Sequence, residues 1–182
     1  MKKLISLVLA LAMLLASVAL LASCDDEAAP DGATQNKDGT ISYDALGLKF
    51  RLPDYFRKRT YDYYELAYAT PGATFLVNVM YKEEIEDEEM GYQFDFDITV
   101  EEYVKLLIEL NEYECSYVYD AERDVASFYL FYSLDDVEYD YEYYTVLKNE
   151  GALYVVLMYC AEADYENYEP LFRLWSSYLS AN

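Results

Sequence analysis

The chain has 182 residues, of which 35 are acidic, 13 are basic and none is histidine, so its formal net charge at pH 7 is −22. This charge argues against nucleic acid as a partner, because phosphate binding needs a basic surface. The absence of histidine excludes Ser-His-Asp and Cys-His nucleophile pairs and the commonest metal ligand, and we expect no cofactor.

The first 24 residues have the pattern of an export signal. Lys2 and Lys3 precede an almost unbroken apolar run that ends in Leu-Ala-Ser-Cys at residues 21–24, and such a run is typical of a signal peptide. The last four residues resemble a lipobox, the motif of the bacterial lipoprotein family. The resemblance implies cleavage before Cys24, a diacylglyceryl group on its thiol, and a lipid anchor at the extracytoplasmic face of the cell membrane. The alternative is a retained signal-anchor helix, since roughly 20 apolar residues can span a bilayer.

Residues 1–23 are therefore predicted to be the signal peptide, and residues 24–40 to be a flexible tether. The tether contains no large apolar side chain, so it cannot bury enough surface to order itself. Its end, from Asn36 to Ile41, resembles part of a calcium-binding EF-hand loop. Ala45 stands at the twelfth position, where that loop requires a bidentate carboxylate, and we interpret the match as coincidence.

Residues 41–182 are sufficient for a single globular domain. Alternation and turn residues predict a strand at 48–52 and three β-hairpins, at 63–69 with 73–81, at 116–120 with 126–133, and at 137–148 with 152–160. The last of these strands is apolar on both faces. It is therefore predicted to lie centrally in the sheet, with a helix layer on each side.

Two helices are predicted beside these strands. Thr99 and Glu102 have the spacing of a capping box, and apolar residues recur on one face of the segment that follows. The second helix is predicted from about Glu169 to Leu179, with Pro170 near its first turn. Its apolar stripe consists of Leu171, Leu174, Trp175, Tyr178 and Leu179.

The order of these elements is similar to the PsbP-like fold. The resemblance begins with Leu-Lys-Phe-Arg-Leu-Pro-Asp-Tyr-Phe at residues 48–56 and continues through a strand pair, a capped helix, a meander and a closing aromatic helix. It implies an α+β fold in which an antiparallel sheet carries helices on both faces, as an α/β/α sandwich. It carries over no catalytic residue, and a fold does not determine a function.

Charged side chains are concentrated in two segments. Residues 83–89 hold six carboxylates, which predicts either a solvated loop or a calcium site with Glu86, Asp87, Glu88 and Glu89 as ligands. Five basic residues lie within residues 49–59 and could face an anionic surface or pair within the domain. They are Lys49, Arg51, Arg57, Lys58 and Arg59.

Tyrosine and cysteine supply the remaining candidate residues. The chain has 23 tyrosines, most of which we expect in the core or half-buried in the sheet. Some could line a binding cleft, namely Tyr61, Tyr63, Tyr64, Tyr139, Tyr141 and Tyr143. Cys115 and Cys160 are candidates for a disulfide, with buried free thiols as the alternative.

The sequence therefore favours a membrane-anchored extracytoplasmic lipoprotein without enzymatic activity. Its partners would be the bilayer, through acylated Cys24, and an unidentified extracytoplasmic protein or ligand. One alternative is a calcium-binding surface module. The other is a cell-surface hydrolase with two carboxylates, which the abundance of Asp and Glu does not exclude.

Overall fold

The computed structural model describes residues 33–182 except 88, 90, 91 and 134–138, and describes no side chain at 132, 133 or 139. Cys24, the predicted signal peptide and residues 24–32 of the predicted tether lie outside this part of the chain. Among the described residues no helix is long and apolar enough to cross a membrane. The strands are β1 (Thr34–Gln35), β2 (Thr40–Ala45), β3 (Leu48–Pro53), β4 (Arg57–Lys58), β5 (Leu66–Ala69), β6 (Thr74–Tyr81), β7 (Tyr117–Asp120), β8 (Val125–Ser133), β9 (Tyr139–Lys148), β10 (Ala152–Ala161) and β11 (Ser180–Ala181). The helices are α1 (Lys82–Ile85), α2 (Val100–Leu110) and α3 (Tyr165–Ser177), and a 3₁₀ turn covers Glu162–Asp164.

Seven strands form the larger sheet, in the order β4-β5-β6-β10-β9-β8-β7, with antiparallel neighbours. The three predicted hairpins are confirmed as β5-β6, β7-β8 and β9-β10. The strand that is apolar on both faces, β10, occupies the middle of this sheet as predicted. Neighbouring residues of β10 are buried on both of its faces, where polar side chains without partners would cost free energy.

A second sheet has the order β1-β2-β3-β11 and contains residues that were predicted to be tether. Thr34 and Gln35 pair with Ser42 and Ile41, so the folded part begins before Ile41. The segment is ordered by polar contacts in place of apolar burial. Asn36 donates to the hydroxyl groups of Thr40 (3.1 Å) and Ser42 (2.9 Å), and its backbone N–H donates to the Thr40 carbonyl.

A tight turn joins β2 to β3, and its two central residues both have positive φ. Leu46 has φ 56° and Gly47 has φ 78°, the combination that a two-residue type I′ hairpin requires. Strand β2 was not predicted, because leucine is not a typical residue at the first of these positions and the turn was therefore not recognised. The hairpin places Leu48, Phe50 and Leu52 in the core, where each is almost completely buried.

Helix α2 begins where the capping box predicted. The Thr99 hydroxyl oxygen accepts a hydrogen bond from the Glu102 backbone N–H (3.2 Å), and the Glu102 carboxylate accepts one from the Thr99 backbone N–H (3.0 Å). These two bonds satisfy donors that the first turn leaves free.

The predicted start of the last helix was wrong by four residues. Helix α3 starts at Tyr165, directly after the 3₁₀ turn, so Pro170 lies inside it. A proline there removes one backbone hydrogen bond. Burial of Phe172 and Trp175 against the core offsets this cost, since each such side chain contributes roughly 1.5–3 kcal/mol. Leu174, predicted on the apolar stripe, is exposed.

The buried side chains form two main clusters, and neighbouring residues of β10 enter different ones. Tyr154 and Val156 belong to the cluster that contains α3 residues and the smaller sheet. Leu153 belongs to the cluster that contains α2 residues. Alternate residues of a strand point to opposite faces of the sheet, and this alternation accounts for the separation.

Candidate ligand-binding site

Several aromatic side chains of β8 and β9 lie close together beside the start of α3. Tyr129 and Phe131 of β8 stand opposite Tyr143 and Tyr141 of β9 in the antiparallel register. The Tyr141 ring lies between its neighbours, with centroid distances of 5.7 Å to Tyr129 and 5.4 Å to Phe131. Spacings of this size are typical of favourable aromatic pairs.

The first residue of α3 completes this group. The Tyr165 ring lies 5.4 Å from Phe131, nearly perpendicular to it, and 5.6 Å from Tyr141. These rings line an open groove of about 390 Å³ together with two carboxylate side chains of α3. We call this groove the aromatic site, and it consists of Tyr129, Phe131, Tyr141, Tyr165, Glu166 and Glu169.

Three of the four rings of the aromatic site are accessible to a ligand. Tyr129 is 45% exposed, Phe131 43% and Tyr165 36%, whereas Tyr141 is 1% exposed and forms the floor. Large aromatic side chains exposed side by side on a sheet mark a candidate binding surface, whereas single exposed ones do not.

The floor residue Tyr141 carries an unsatisfied polar group. Among the described residues, its hydroxyl is the one buried side-chain nitrogen or oxygen without a hydrogen-bond partner. Burial raises the pKa of this hydroxyl well above its usual range, and the nearby Glu169 carboxylate adds to the effect. The hydroxyl is therefore protonated at physiological pH, and its residue lines the groove.

The carboxylates of the aromatic site differ in their surroundings. Glu169 accepts a hydrogen bond from the Arg173 guanidinium one turn later in α3. This hydrogen bond raises the pKa of Arg173, whose guanidinium also lies 5.9 Å from the centre of the Tyr143 ring. Glu166 is exposed in the first turn of α3, where the helix dipole favours negative charge. It forms no ion pair with any residue that the structure describes.

Two further grooves adjoin the aromatic site. One, of about 580 Å³, runs between residues 111–116 and the β8 residues Tyr129, Leu130 and Phe131. The other, of about 220 Å³, lies between β7, β8 and the end of α3. In that smaller groove Arg123 donates to the carbonyl groups of Ser177 (3.2 Å) and Leu179 (2.9 Å) and so caps the C-terminal end of α3. Tyr129 lines all three grooves, which makes the surface continuous.

This arrangement can hold a ligand that is apolar or cationic, and none of the described residues that line it is an evident catalytic group. Aromatic faces attract ammonium and guanidinium groups, and neighbouring carboxylates strengthen the attraction. Among the described carboxyl groups, that of Glu142 has a raised pKa, and burial is the main cause. This carboxyl group accepts a hydrogen bond from the Tyr144 hydroxyl (2.7 Å). Glu142 does not line any of these three grooves.

Three of the predicted calcium ligands, Glu86, Asp87 and Glu89, do not form a metal site with one another. Among the described residues there is no group of three or more Asp, Glu, Cys or His side chains that could hold a metal ion. Glu86 lies 3.5 Å from the Lys82 ammonium, and the Asp87 carboxylate accepts a hydrogen bond from the Glu89 backbone N–H. Glu88 lies outside the described residues.

The predicted disulfide partners are also kept apart. Cys115 and Cys160 are both free thiols, and they pack in different clusters, Cys115 with α2 and Cys160 with α3. Burial raises the pKa of each thiol, that of Cys160 to about 11. Both are therefore protonated and weakly reactive at neutral pH.

The basic residues of 49–59 make contacts within the domain. Arg51 binds the Asp38 carboxylate and stacks over the Tyr178 ring at 5.0 Å, and hydrogen bonds from Thr40 and Arg51 lower the pKa of Asp38. Lys49 lies 3.9 Å from Asp44. Arg57 donates to the Asp54 carbonyl and Arg59 to the Lys58 carbonyl.

The predicted tyrosine cleft is wrong as a group. Tyr141 and Tyr143 are buried in the cluster beneath α3, whereas Tyr64 packs at a different cluster near Leu157 and Tyr63 is 91% exposed. The side chain of Tyr139 lies outside the described residues. One member of the predicted set, Tyr141, does belong to the aromatic site.

The other members of this site were not predicted from the sequence. Tyr165 and Glu166 precede the predicted start of the last helix, and Glu169 was read only as its boundary. Tyr129 and Phe131 do alternate with Phe128 and Leu130 along a predicted strand, which was the available signal. The register of β8 against β9 was needed to place these two rings beside Tyr141.

Comparison with known proteins supports the fold alone. No family model matches the sequence, and no curated protein matches it. The chain is similar to the solution structure of cyanobacterial PsbP (CyanoP) from Synechocystis sp. PCC 6803, with a TM-score of 0.54 and 13% identity over 85% of this chain and 100% of that chain. The Saccharomyces cerevisiae Ran-binding protein Mog1p also matches, with a TM-score of 0.46 and 9% identity over 78% of this chain and 94% of that one. The predicted resemblance to the PsbP-like fold is confirmed, and identities this low assign no residue a role.

Proposed function

We propose that this protein is a lipid-anchored extracytoplasmic domain that binds a partner at the aromatic site and catalyses no reaction. The anchor is supported by the sequence, in which Leu-Ala-Ser-Cys at residues 21–24 ends an apolar run. Two or more acyl chains on Cys24 would hold the protein stably at a membrane surface, whereas one chain gives marginal binding.

We also propose that the domain is an α/β/α sandwich of the PsbP-like kind. The clusters support this arrangement, because α2 packs with Val146 and Leu153 while α3 packs with Leu147 and Tyr154. These are neighbouring residues on β9 and on β10, and neighbours on one strand point to opposite faces. Each helix would then cover one face of the larger sheet.

The observation that carries the binding proposal is the exposure of Tyr129, Phe131 and Tyr165 around one groove beside Glu166 and Glu169. The described lining of this groove contains apolar rings and carboxylates, so it suits a partner that presents an amine or guanidinium on an apolar stem. A monomer gains nothing from leaving such rings in water, and contiguous exposed apolar patches usually mark interaction sites.

The experiment uses the native, membrane-bound protein and a matched pair of variants. Photo-crosslinking from a residue beside the groove is expected to capture a specific partner with the wild type. Phe131→Ala is expected to lose this product. Tyr63→Ala removes an equally large ring that is more exposed but distant from the site, and it is expected to retain the product. Equal capture by both variants would refute the assignment of the site.

The anchor is tested separately by mass spectrometry of material from the native host. The expected mass lacks residues 1–23 and carries a lipid on Cys24. Cys24→Ser is expected to appear in the soluble fraction or to retain residues 1–23. An unmodified residue 24 in the wild type would remove the anchor from the proposal and leave the aromatic site unaffected.

A further inference from the structure

Strand β8 has an uncovered edge along its second half. Its outer neighbour β7 pairs only with its first four residues, from Tyr117 opposite Phe128 to Asp120 opposite Val125. On the other side, β9 pairs with the whole of β8 as far as Ser133. Among the residues that the structure describes, the outer edge of 129–133 therefore has no strand partner.

The chain that precedes β7 does not close this gap. Residues 111–116 belong to no strand, and together with Tyr129, Leu130 and Phe131 they line the groove of about 580 Å³. An open edge presents backbone N–H and C=O groups that can pair with another strand. The groove provides space beside this part of β8 for a chain in extended conformation.

The charge around the edge indicates which chain would fit. Glu112 and Glu114 line the groove at the edge, and Glu166 and Glu169 line the adjoining aromatic site. No lysine or arginine is among the described residues that line these two grooves. The two arginines of the smaller third groove are engaged, since Arg173 binds Glu169 and Arg123 donates to carbonyl groups at the end of α3. The surroundings of the edge are therefore acidic.

Two other occupants fit this charge poorly. A second copy paired edge to edge would bring the four glutamates of one chain towards those of its partner, and like charges facing each other disfavour pairing. The segment at 25–32 of the same chain has the sequence Asp-Asp-Glu-Ala-Ala-Pro-Asp-Gly, which is acidic as well.

We propose that the edge of β8 at Tyr129–Phe131 accepts an extended, basic polypeptide segment as an additional strand. The inference rests on the proposed function, since it names the partner of the aromatic site. Backbone hydrogen bonds to β8 would supply affinity, and alternate side chains would supply specificity. One set would point towards Tyr129, Phe131 and the carboxylates, where cations are favoured, and the other towards Leu130.

A synthetic peptide, acetyl-Lys-Val-Lys-Val-Lys-Val-amide, serves as the probe. Its lysines share one face and its valines the other, as the two sides of the edge require. Binding to the full-length mature protein in detergent would be measured by titration calorimetry. Amide hydrogen exchange at residues 129–131 would be measured in parallel, with protection expected on binding. The matched peptide with glutamate in place of lysine is expected not to bind.

Two isomeric peptides test the backbone pairing itself. One carries N-methyl groups on its three lysines and the other on its three valines, so the two peptides have the same composition and charge. In an extended peptide the lysine N–H groups point to one edge and the valine N–H groups to the other. Each isomer therefore has the hydrogen-bond donors of a different edge blocked. Pairing to β8 predicts that one isomer binds as well as the parent while the other binds about tenfold more weakly or worse, since each lost backbone hydrogen bond costs roughly 1 kcal/mol.

The outcomes separate this inference from the proposed function. If both isomers bind as tightly as the parent but Phe131→Ala abolishes binding, the aromatic site is retained and the added strand is refuted. If no peptide binds at millimolar concentration, or if residues 129–131 gain no protection, the added strand is likewise refuted. The crosslinking experiment then tests binding at the aromatic site independently of the added strand.

Discussion

Replacing Tyr141 by phenylalanine is expected to preserve or increase the stability of the protein, although Tyr141 is fully buried. Its hydroxyl has no hydrogen-bond partner among the described residues, and an unsatisfied buried polar group costs about 1–3 kcal/mol. Phenylalanine keeps the ring contacts with Phe131, Tyr165 and Phe172. We expect a free energy of unfolding between that of the wild type and about 2 kcal/mol above it.

Tyr154 provides the matched control for this prediction. It is as deeply buried as Tyr141, but its hydroxyl donates to the Leu46 carbonyl (2.8 Å) and accepts from the Asn149 amide (3.1 Å). Tyr154→Phe is therefore expected to lower the free energy of unfolding by about 1–2 kcal/mol. Urea unfolding followed by the fluorescence of the single tryptophan, Trp175, would measure both variants. A loss for Tyr141→Phe as large as that for Tyr154→Phe would refute the reasoning.

Two further predictions concern the β2–β3 turn and the buried Glu142 carboxyl. Both Gly47→Ala and Gly39→Ala place alanine at a φ near 78°, but a Cβ at Gly47 would lie 2.6 Å from the Tyr154 hydroxyl whereas one at Gly39 meets nothing within 4 Å. In urea unfolding, Gly39→Ala is therefore expected to lower the free energy of unfolding by about 1 kcal/mol, and Gly47→Ala is expected to lower it clearly more. Equal losses for the two variants would contradict the steric argument. Burial raises the pKa of Glu142 above its unfolded value of 4.5, so the native state loses stability as the pH rises through the raised pKa. Glu142→Gln is expected to exceed the wild type in stability at pH 7.5 and to equal it at pH 4, and a difference that is independent of pH would argue against this origin.

The elements that the sequence predicted correctly are those whose signals are local. The capping box of Thr99 and Glu102, the alternation within each predicted hairpin strand and the two-faced apolar pattern of β10 each lie within a few residues. Such patterns act through hydrogen bonds and alternation within one element. They identify helices and strands without any knowledge of the rest of the fold.

The sequence-based predictions were wrong where contacts between residues distant in sequence determine the structure. Residues 33–40 read as a tether because they lack apolar side chains, yet Arg51, which is distant in sequence, binds the Thr40 hydroxyl and the Asp38 carboxylate there. The start of α3 was missed because Pro170 is a strong local signal for a first turn. Packing of Tyr165 against Tyr141 and Phe131 lies outside what such a signal contains.

The candidate site was the least predictable part because it is built from pairings between elements. The hydropathy pattern alone places Tyr129 and Phe131 on a strand face and Tyr165 near a helix, but only the register and the position of α3 bring the rings together. The same geometry explains why the rings remain exposed. Phe128 and Leu130 point towards the cluster that contains α2 residues, while Tyr129 and Phe131 lie on the alternate face and line the aromatic site beside Tyr165, the first residue of α3.

The exposed rings and the uncovered edge of β8 lie at the same place because β7 and α3 each cover this part of β8 incompletely. Strand β7 begins at Tyr117, opposite Phe128, so its pairing stops one residue before Tyr129, and α3 begins at Tyr165, beside Phe131. A strand added at this edge would continue the line of β7 and would cover Tyr129 and Phe131 from the side that α3 leaves open. A single partner segment would thus satisfy backbone groups and bury apolar rings together, which is the combination that gives strand addition both affinity and specificity.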